Sequence, residues 1–396
     1  MIGAGVFAAF TPAAQAAGNG LLVGLVVAAV VALCNATSSA QLAAVYPTSG
    51  GTYVYGRERL GPWWGFTAGW SFVVGKTASC AAMALTFAAY AAPAGWERPV
   101  AVAAVLGLAA VNYFGVTRTA TLTRVIVVVV LLALAVAVAA GASTGLAASG
   151  SFQPGSLVAS GGYGILQSAG LLFFAFAGYA RIATMGEEVR NPARTIPRAI
   201  VIALTLTVVI YAVIAVIVLG TLGPHGVANS PAPLAEVVRV SGWSWAGPVV
   251  RFGAAAASLG ALLGLIAGIG RTTLAMAREG DLPRILSAVH PRFRVPHRAE
   301  VALAIVVSVL VLTVDLRGAI GFSSFGVLLY YFVANVAAFT QPPTQRRYWR
   351  VLPVVGGIAC LTLVVTLPPV GIAIGVGVLA IGLAYRGLSR RLSKGA

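Results

Sequence analysis

Ile2-Gly3-Ala4-Gly5-Val6-Phe7 is an apolar stretch punctuated by two glycines, and an altered form of it returns about 170 residues later as Phe173-Phe174-Ala175-Phe176-Ala177-Gly178-Tyr179. In a chain that lives in lipid, glycine-interrupted apolar segments at matching places in two halves point to a solute site built from two broken helices. The reason is electrostatic. A break frees N–H groups that can hold a carboxylate, and it frees carbonyls at a helix C-terminus that can hold a cation. A ligand with both charges, such as an α-amino acid, fits such a pair.

Composition places the chain in lipid. It is 59% hydrophobic and only 9% charged, with a mean hydropathy of +0.94, whereas soluble globular proteins carry about 25% charged residues. The apolar runs are long and continuous, unlike the ~10-residue alternating segments of a barrel, so the expected class is an all-α polytopic membrane protein. Runs near the ~20 residues needed to cross a bilayer fall at 21–45, 65–92, 99–116, 122–146, 163–187, 198–221, 246–276, 298–314, 320–340, 351–367 and 369–385. That gives eleven spans plus the opening fragment from Ile2 to about Ala16. The fragment is too short to cross alone, which leads us to expect a chain that is N-terminally truncated within its first helix. Counting the fragment as the first span, the chain divides as five, five and two. Residues 1–146 form a first repeat with an incomplete first helix, 163–340 a second repeat of opposite orientation, and 351–385 two extra helices. Together they make one transmembrane domain over 1–396.

The net charge of +17 follows topology. If the loop after the second span is cytoplasmic, twenty of the 26 Lys and Arg residues fall on that side, four on the other and two, Lys76 and Arg181, within spans. This obeys the positive-inside rule. It predicts a multi-pass protein of the cytoplasmic membrane with both termini in the cytoplasm, and it removes the case for a nucleic-acid partner. The lipid bilayer is the partner that this composition implies. Cys34, Cys80 and Cys360 lie in apolar spans and read as packing residues. His225, His290 and His297 lie far apart and read as solvated loop residues. No metal-ligand spacing, phosphate-cradling loop or nucleophilic triad is visible, so no metal, no cofactor and no catalytic residues are expected, and an enzyme is not.

Further motifs carry a resemblance. Ile2-Gly3-Ala4-Gly5-Val6-Phe7, Tyr46-Pro47-Thr48-Ser49-Gly50-Gly51-Thr52-Tyr53 and Gly186-Glu187-Glu188-Val189-Arg190-Asn191-Pro192-Ala193-Arg194-Thr195-Ile196-Pro197 occur in that order. They are followed by Gly270-Arg271-Thr272 and Ala275-Met276-Ala277-Arg278-Glu279-Gly280-Asp281-Leu282-Pro283. Across nearly the whole chain this pattern resembles the amino acid permeases of the amino acid, polyamine and organocation (APC) superfamily. The resemblance implies a leucine-transporter-like fold, a 5+5 inverted repeat plus two C-terminal helices. It also implies transport of an amino-acid substrate by alternating access, with the first and sixth spans leading a rocking bundle.

Carried over by position, the resemblance implies that the N–H groups of Gly3, Ala4 and Gly5 hold the substrate carboxylate, with Ile2 near the α-amino group. Carbonyls of Phe174, Ala175 and Ala177 would hold the ammonium. Gly178 would free the backbone for the break, and Phe176 and Tyr179 would gate or line the side-chain pocket. Relatives often carry an Asp after the Gly-aromatic pair where this chain has Ala180, so any role of that acid is absent. Lys76 lies roughly 16 Å into its span at 1.5 Å per residue, too deep to reach water easily, and is a candidate proton carrier or a stand-in for a coupling cation. Arg181 lies near a span end, where a long side chain can snorkel. Glu187 and Glu188 face a basic loop and could pair with Arg190, Arg194 or Arg198 in an inner gate. Ser258 is a lone hydroxyl where sodium-coupled relatives supply several oxygens. Proton coupling is therefore expected over sodium, with uncoupled exchange of amino acids or amines and a non-transporting sensor as the alternatives. No acid falls near mid-membrane, so a neutral amino acid is the expected substrate.

Overall fold

The computed structural model describes residues 2–47, 50–115, 120–146, 153–179 and 191–394. Its helices are α1 (Gly5–Ala8), α2 (Phe10–Ala17), α3 (Leu21–Val45), α4 (Thr52–Leu60), α5 (Pro62–Ala91), α6 (Glu97–Tyr113), α7 (Ala120–Ala142) and α8 (Pro154–Val158). They continue with α9 (Gly161–Phe176), α10 (Pro192–Asn229), α11 (Pro233–Val240), α12 (Gly247–Arg278), α13 (His297–Thr313), α14 (Leu316–Phe339), α15 (Val351–Thr366) and α16 (Pro369–Lys394). No strand occurs among the described residues.

The eleven expected spans all find helices. Seven helical stretches are long and apolar enough to cross a membrane, Phe10–Val45, Pro62–Ala91, Leu122–Ala142, Arg194–Asn229, Ser244–Arg278, Leu316–Phe339 and Pro369–Arg391. The other four, α6, α9, α13 and α15, are 16 or 17 residues long, about 24–26 Å at 1.5 Å per residue. Two of them have visible stops. The helix expected to run to 187 ends at Phe176, where the chain tightens into a 3₁₀ turn over Ala177–Tyr179, and α15 ends two residues before Pro368, a residue whose ring disfavours helix in its predecessor. In α10, Gly223 takes φ 67° and ψ 170° immediately before Pro224. Only glycine tolerates that backbone easily, so the helix kinks there and its last turn leaves the axis.

Small residues let the central helices approach. A Cβ on Gly326 of α14 would lie 2.6 Å from the Ser71 carbonyl oxygen and 2.8 Å from the Gly75 Cα of α5. The same crossing is tied by the hydroxyls of Ser79 and Ser323 at 2.6 Å. Close backbone contact and interhelical hydrogen bonds are the means by which helices adhere where lipid is as apolar as the side chains. A second buried junction joins α3, α14 and α15. Asn335 donates to the Asn35 Oδ1 at 2.6 Å and accepts from Ser38 Oγ at 2.7 Å, and Cys360 Sγ donates to the same Asn35 oxygen at 3.4 Å. Cys360 is thus a weak donor within a polar knot, beyond the packing role read from sequence.

The basic end of the bundle holds a buried ion pair. Arg386 of α16 is 1% exposed and its Nη2 lies 3.0 Å from Asp281 Oδ1, with its guanidinium over the rings of Trp63 and Phe66. Asp281 also accepts from the Tyr53 hydroxyl at 2.9 Å, and burial together with the Asp281 carboxylate raises the Tyr53 pKa. Arg57 donates to Tyr53 Oη at 3.2 Å and pairs with Glu279 at 2.7 Å. Three segments distant in sequence are pinned to one another here. At the same end, His290 and His297 are not separately solvated, because Tyr113 and Phe293 pack against both or one of them, with the imidazole centroids 5.4 Å apart.

Removing one member of the pair strands a buried charge, which costs about 3–5 kcal/mol. Arg386→Met or Asp281→Asn should therefore lower the melting temperature by several degrees in detergent, followed by size-exclusion chromatography after heating. The double variant Arg386→Met with Asp281→Leu should recover most of that loss.

Candidate functional site

Ile2, Gly3 and Ala4 precede the first helical residue, Gly5. The Ala4 carbonyl accepts from the N–H groups of Phe7 at 3.0 Å and Ala8 at 3.1 Å, so it already serves the helix. Helical geometry continues through Ala9 into α2, since the Ala9 N–H reaches the Gly5 carbonyl and the Ala13 N–H the Ala9 carbonyl.

The second break presents the opposite pole. α9 ends at Phe176, and its last carbonyls sit at the negative end of the helix dipole. The two breaks touch, since a Cβ added to Gly5 would lie 2.6 Å from the Ala175 Cα. Any larger residue at position 5 would push the helices apart. The contact therefore joins the start of α1 to the C-terminal end of α9.

Those carbonyls have protein donors. The Ala177 N–H bonds back to the carbonyls of Phe173 and Phe174, the Tyr211 hydroxyl of α10 donates to Ala175 O at 3.1 Å, and Lys76 Nζ donates to Ala177 O at 3.2 Å. Lys76 is buried at the middle of α5. The sequence placed it only by depth; the structure sets its ammonium on a carbonyl of the break itself. Each carbonyl oxygen retains a second lone pair.

The remaining candidate residues are distributed around this contact. Phe174 packs with Ala8, Cys80, Ala81, Leu262 and Ile266 in a cluster shared by α1, α5 and α12. Phe176 turns to the opposite side and is fully buried against Tyr211, with ring centroids 5.1 Å apart. Gly178 is exposed within the 3₁₀ turn that Tyr179 closes. Ser258 of α12 is 0% exposed, and its hydroxyl has no partner among the described residues. One turn further on, the Cβ of Ala261 lies 3.5 Å from the position a Cβ on Gly3 would take. The structure thus brings Gly3, Gly5, Ala175, Ala177, Lys76 and the Ser258 helix to one place. Arg181, Glu187 and Glu188 lie outside the described residues.

Two residues that sequence reasoning did not single out support the breaks. Tyr211 has its signal in hindsight, as a tyrosine alone in an aliphatic run. Tyr90 of α5 donates to Phe7 O at 3.2 Å and stacks edge-on against Phe7, while Arg251 holds the Tyr90 carbonyl at 3.0 Å. An apolar cleft of about 940 Å³ lies elsewhere, between α5, α12, α13, α14 and α16, and neither break contributes to its walls. Among the described residues no group of three or more His, Cys, Asp or Glu side chains could hold a metal ion.

The sequence model of the amino acid permease family matches residues 1–385. An uncharacterized transporter of Mycobacterium tuberculosis is 58% identical over 396 residues, covering 100% of this chain and 89% of that protein. The branched-chain amino acid permease BcaP of Bacillus subtilis is 27% identical over 426 residues, covering 100% of this chain and 91% of its own. Cationic amino acid transporter 4 of Homo sapiens is 28% identical over 359 residues, covering 85% of this chain and 56% of its own. Among solved structures, MhsT in complex with L-phenylalanine superposes with a TM-score of 0.61 at 14% identity, covering 92% of this chain and 95% of that one. That likeness is one of fold, and it agrees with the expected leucine-transporter-like architecture. The chain belongs to the amino acid permease family, a family of membrane transporters and not of enzymes.

Proposed function

We propose that this permease imports neutral amino acids across the cytoplasmic membrane by alternating access, coupled to protons. In this reading both termini are cytoplasmic, residues 1–146 and 163–340 are the two inverted repeats, and 351–385 are appended helices. The observation that carries it is the meeting of the N-terminal end of α1 with the C-terminal end of α9 through Gly5 and Ala175. The N–H groups of Gly3, Ala4 and Gly5 would take the substrate carboxylate, and the second lone pairs of Phe174, Ala175 and Ala177 carbonyls the ammonium. The Phe174 cluster offers an apolar wall for the side chain.

Substrate charge is argued from this chain's own residues, because its relatives bear names of both kinds, branched-chain for BcaP and cationic for the human protein. The seven described carboxylates, Glu58, Glu97, Glu236, Glu279, Asp281, Glu300 and Asp315, all lie in helix-end turns, in connections or in the short helices α4 and α11. None stands at mid-span to receive a cationic side chain, which favours a neutral substrate. Coupling is argued from Lys76 and Ser258. A lysine at mid-span already supplies a positive charge beside the break, whereas Ser258 offers one hydroxyl where a sodium ion would need several oxygens. Lys76 is the candidate proton carrier.

In proteoliposomes, an inward proton gradient should raise accumulation of a radiolabelled neutral amino acid several-fold, and replacing external sodium with choline should leave it unaltered. Lys76→Met should abolish the stimulation by the gradient. Loss of uptake on sodium removal, or absence of uptake for every amino acid offered, would overturn the respective part of the reading.

Gly5→Leu tests the contact of the two breaks separately. The added side chain meets the Ala175 backbone, so uptake should fall at least tenfold at matched amounts of monodisperse protein, as judged by fluorescence-detected size-exclusion chromatography.

A further inference from the structure

Among the described residues, Lys76 has no counter-charge. Its one hydrogen bond among the described residues is to Ala177 O at 3.2 Å, and the neighbour one turn along α5 is the uncharged thiol of buried Cys80. The seven described carboxylates are all away from mid-span; at the basic end Asp281 is engaged by Arg386 and Tyr53 and Glu279 by Arg57, while Glu300 lies buried in the first turn of α13 against Gly270 of α12. An ionisable side chain at this depth is expensive and is retained where it meets a substrate or ion path. The position is also fixed. α5 is locked to α14 through Gly75 and Gly326 and through the Ser79–Ser323 hydrogen bond. Ala177 stands two residues beyond the Ala175 backbone that touches Gly5. The ammonium is therefore held beside the meeting point of the two breaks.

We propose that Lys76 is the charge filter of the substrate site, its ammonium on the Ala177 carbonyl excluding amino acids whose side chain carries a positive charge. This deepens the permease reading above and rests on it. A zwitterion brings its own carboxylate and adds no net charge. A dibasic amino acid adds a second cation to a water-poor site that already holds one, and like charges repel strongly where the dielectric is low. An anionic side chain meets attraction in place of repulsion. Lys76 thus sets specificity by rejection, the form of discrimination that a misplaced charge supplies most economically.

The test uses pairs of amino acids of nearly equal size and opposite outcome. L-homoserine and L-2,4-diaminobutyrate, and L-citrulline and L-arginine, compete with uptake of the neutral amino acid that the full chain transports best in proteoliposomes. For the wild type, the uncharged member of each pair that competes should do so at least tenfold more strongly than its cationic counterpart. Lys76→Met and Lys76→Gln should bring that ratio towards one whatever their absolute rates, and Lys76→Arg should retain it. If the Met and Gln variants show too little uptake to score, the same ratio is read from ligand-induced shifts in the melting temperature of the purified proteins. A wild type that accepts the cationic members equally well overturns the filter alone, as does a Lys76→Met protein that keeps the full ratio. Failure of the wild type to take up or bind any amino acid overturns the permease reading and the filter together.

Discussion

Everything in this structure answers to the rule that backbone polar groups in lipid must find partners within the protein. A continuous helix meets the rule by itself; an interrupted one does not. Where α1 gives way to α2 after Ala8, and where α9 ends at Phe176, other helices deliver donors to the carbonyls. Tyr90 reaches Phe7 O, Tyr211 reaches Ala175 O and Lys76 reaches Ala177 O. Each donor comes from a different stretch of the chain than the break it serves.

The remainder of the bundle can be understood as what holds those donors in place. α5 contributes both Tyr90 and Lys76, fourteen residues apart on a 30-residue helix, and its backbone is pressed against α14 where Gly75 and Gly326 meet. α14 is in turn fastened to α3 and α15 through the Asn335, Asn35, Ser38 and Cys360 knot. At the basic end, the first turns of α5 carry Trp63 and Phe66, whose rings lie close to the Arg386 guanidinium of α16. The buried ion pair with Asp281 ties that point to the segment following α12. In the proposed cycle, such a framework keeps the Lys76 ammonium at one height while α1 and α9 tilt against it.

Much of this was legible before any coordinates, and the limits have physical causes. The spans could be read because lipid imposes length and hydropathy on each of them, and α3 occupies the predicted 21–45 to the residue. The break at Ala177 was announced by its glycine and its likeness to the opening segment, but its effect on helix length was not, because hydropathy continues through a 3₁₀ turn unchanged. The partners of the carbonyls were invisible for a different reason. Tyr211 lies 36 residues from Ala175 and Lys76 lies 101 from Ala177, and no local pattern encodes a contact made only when helices pack. Arg386 was harder still, since a basic residue near a basic tail reads as solvated and is in fact 1% exposed.

The two buried cations show why burial alone is a poor guide to role. Arg386 and Lys76 are both almost inaccessible, yet their surroundings differ in the property that matters. Arg386 has a carboxylate at 3.0 Å and two aromatic faces, so its charge is neutralised within the protein and its contribution is to hold segments together. Among the described residues Lys76 has a single carbonyl, a dipole and not a charge, just beyond the C-terminal end of α9. In the proposed site, the anionic group that a zwitterionic substrate brings is of the right sign to balance it. In the proposed reading, the Lys76 charge is half of an interaction whose other half arrives with the amino acid.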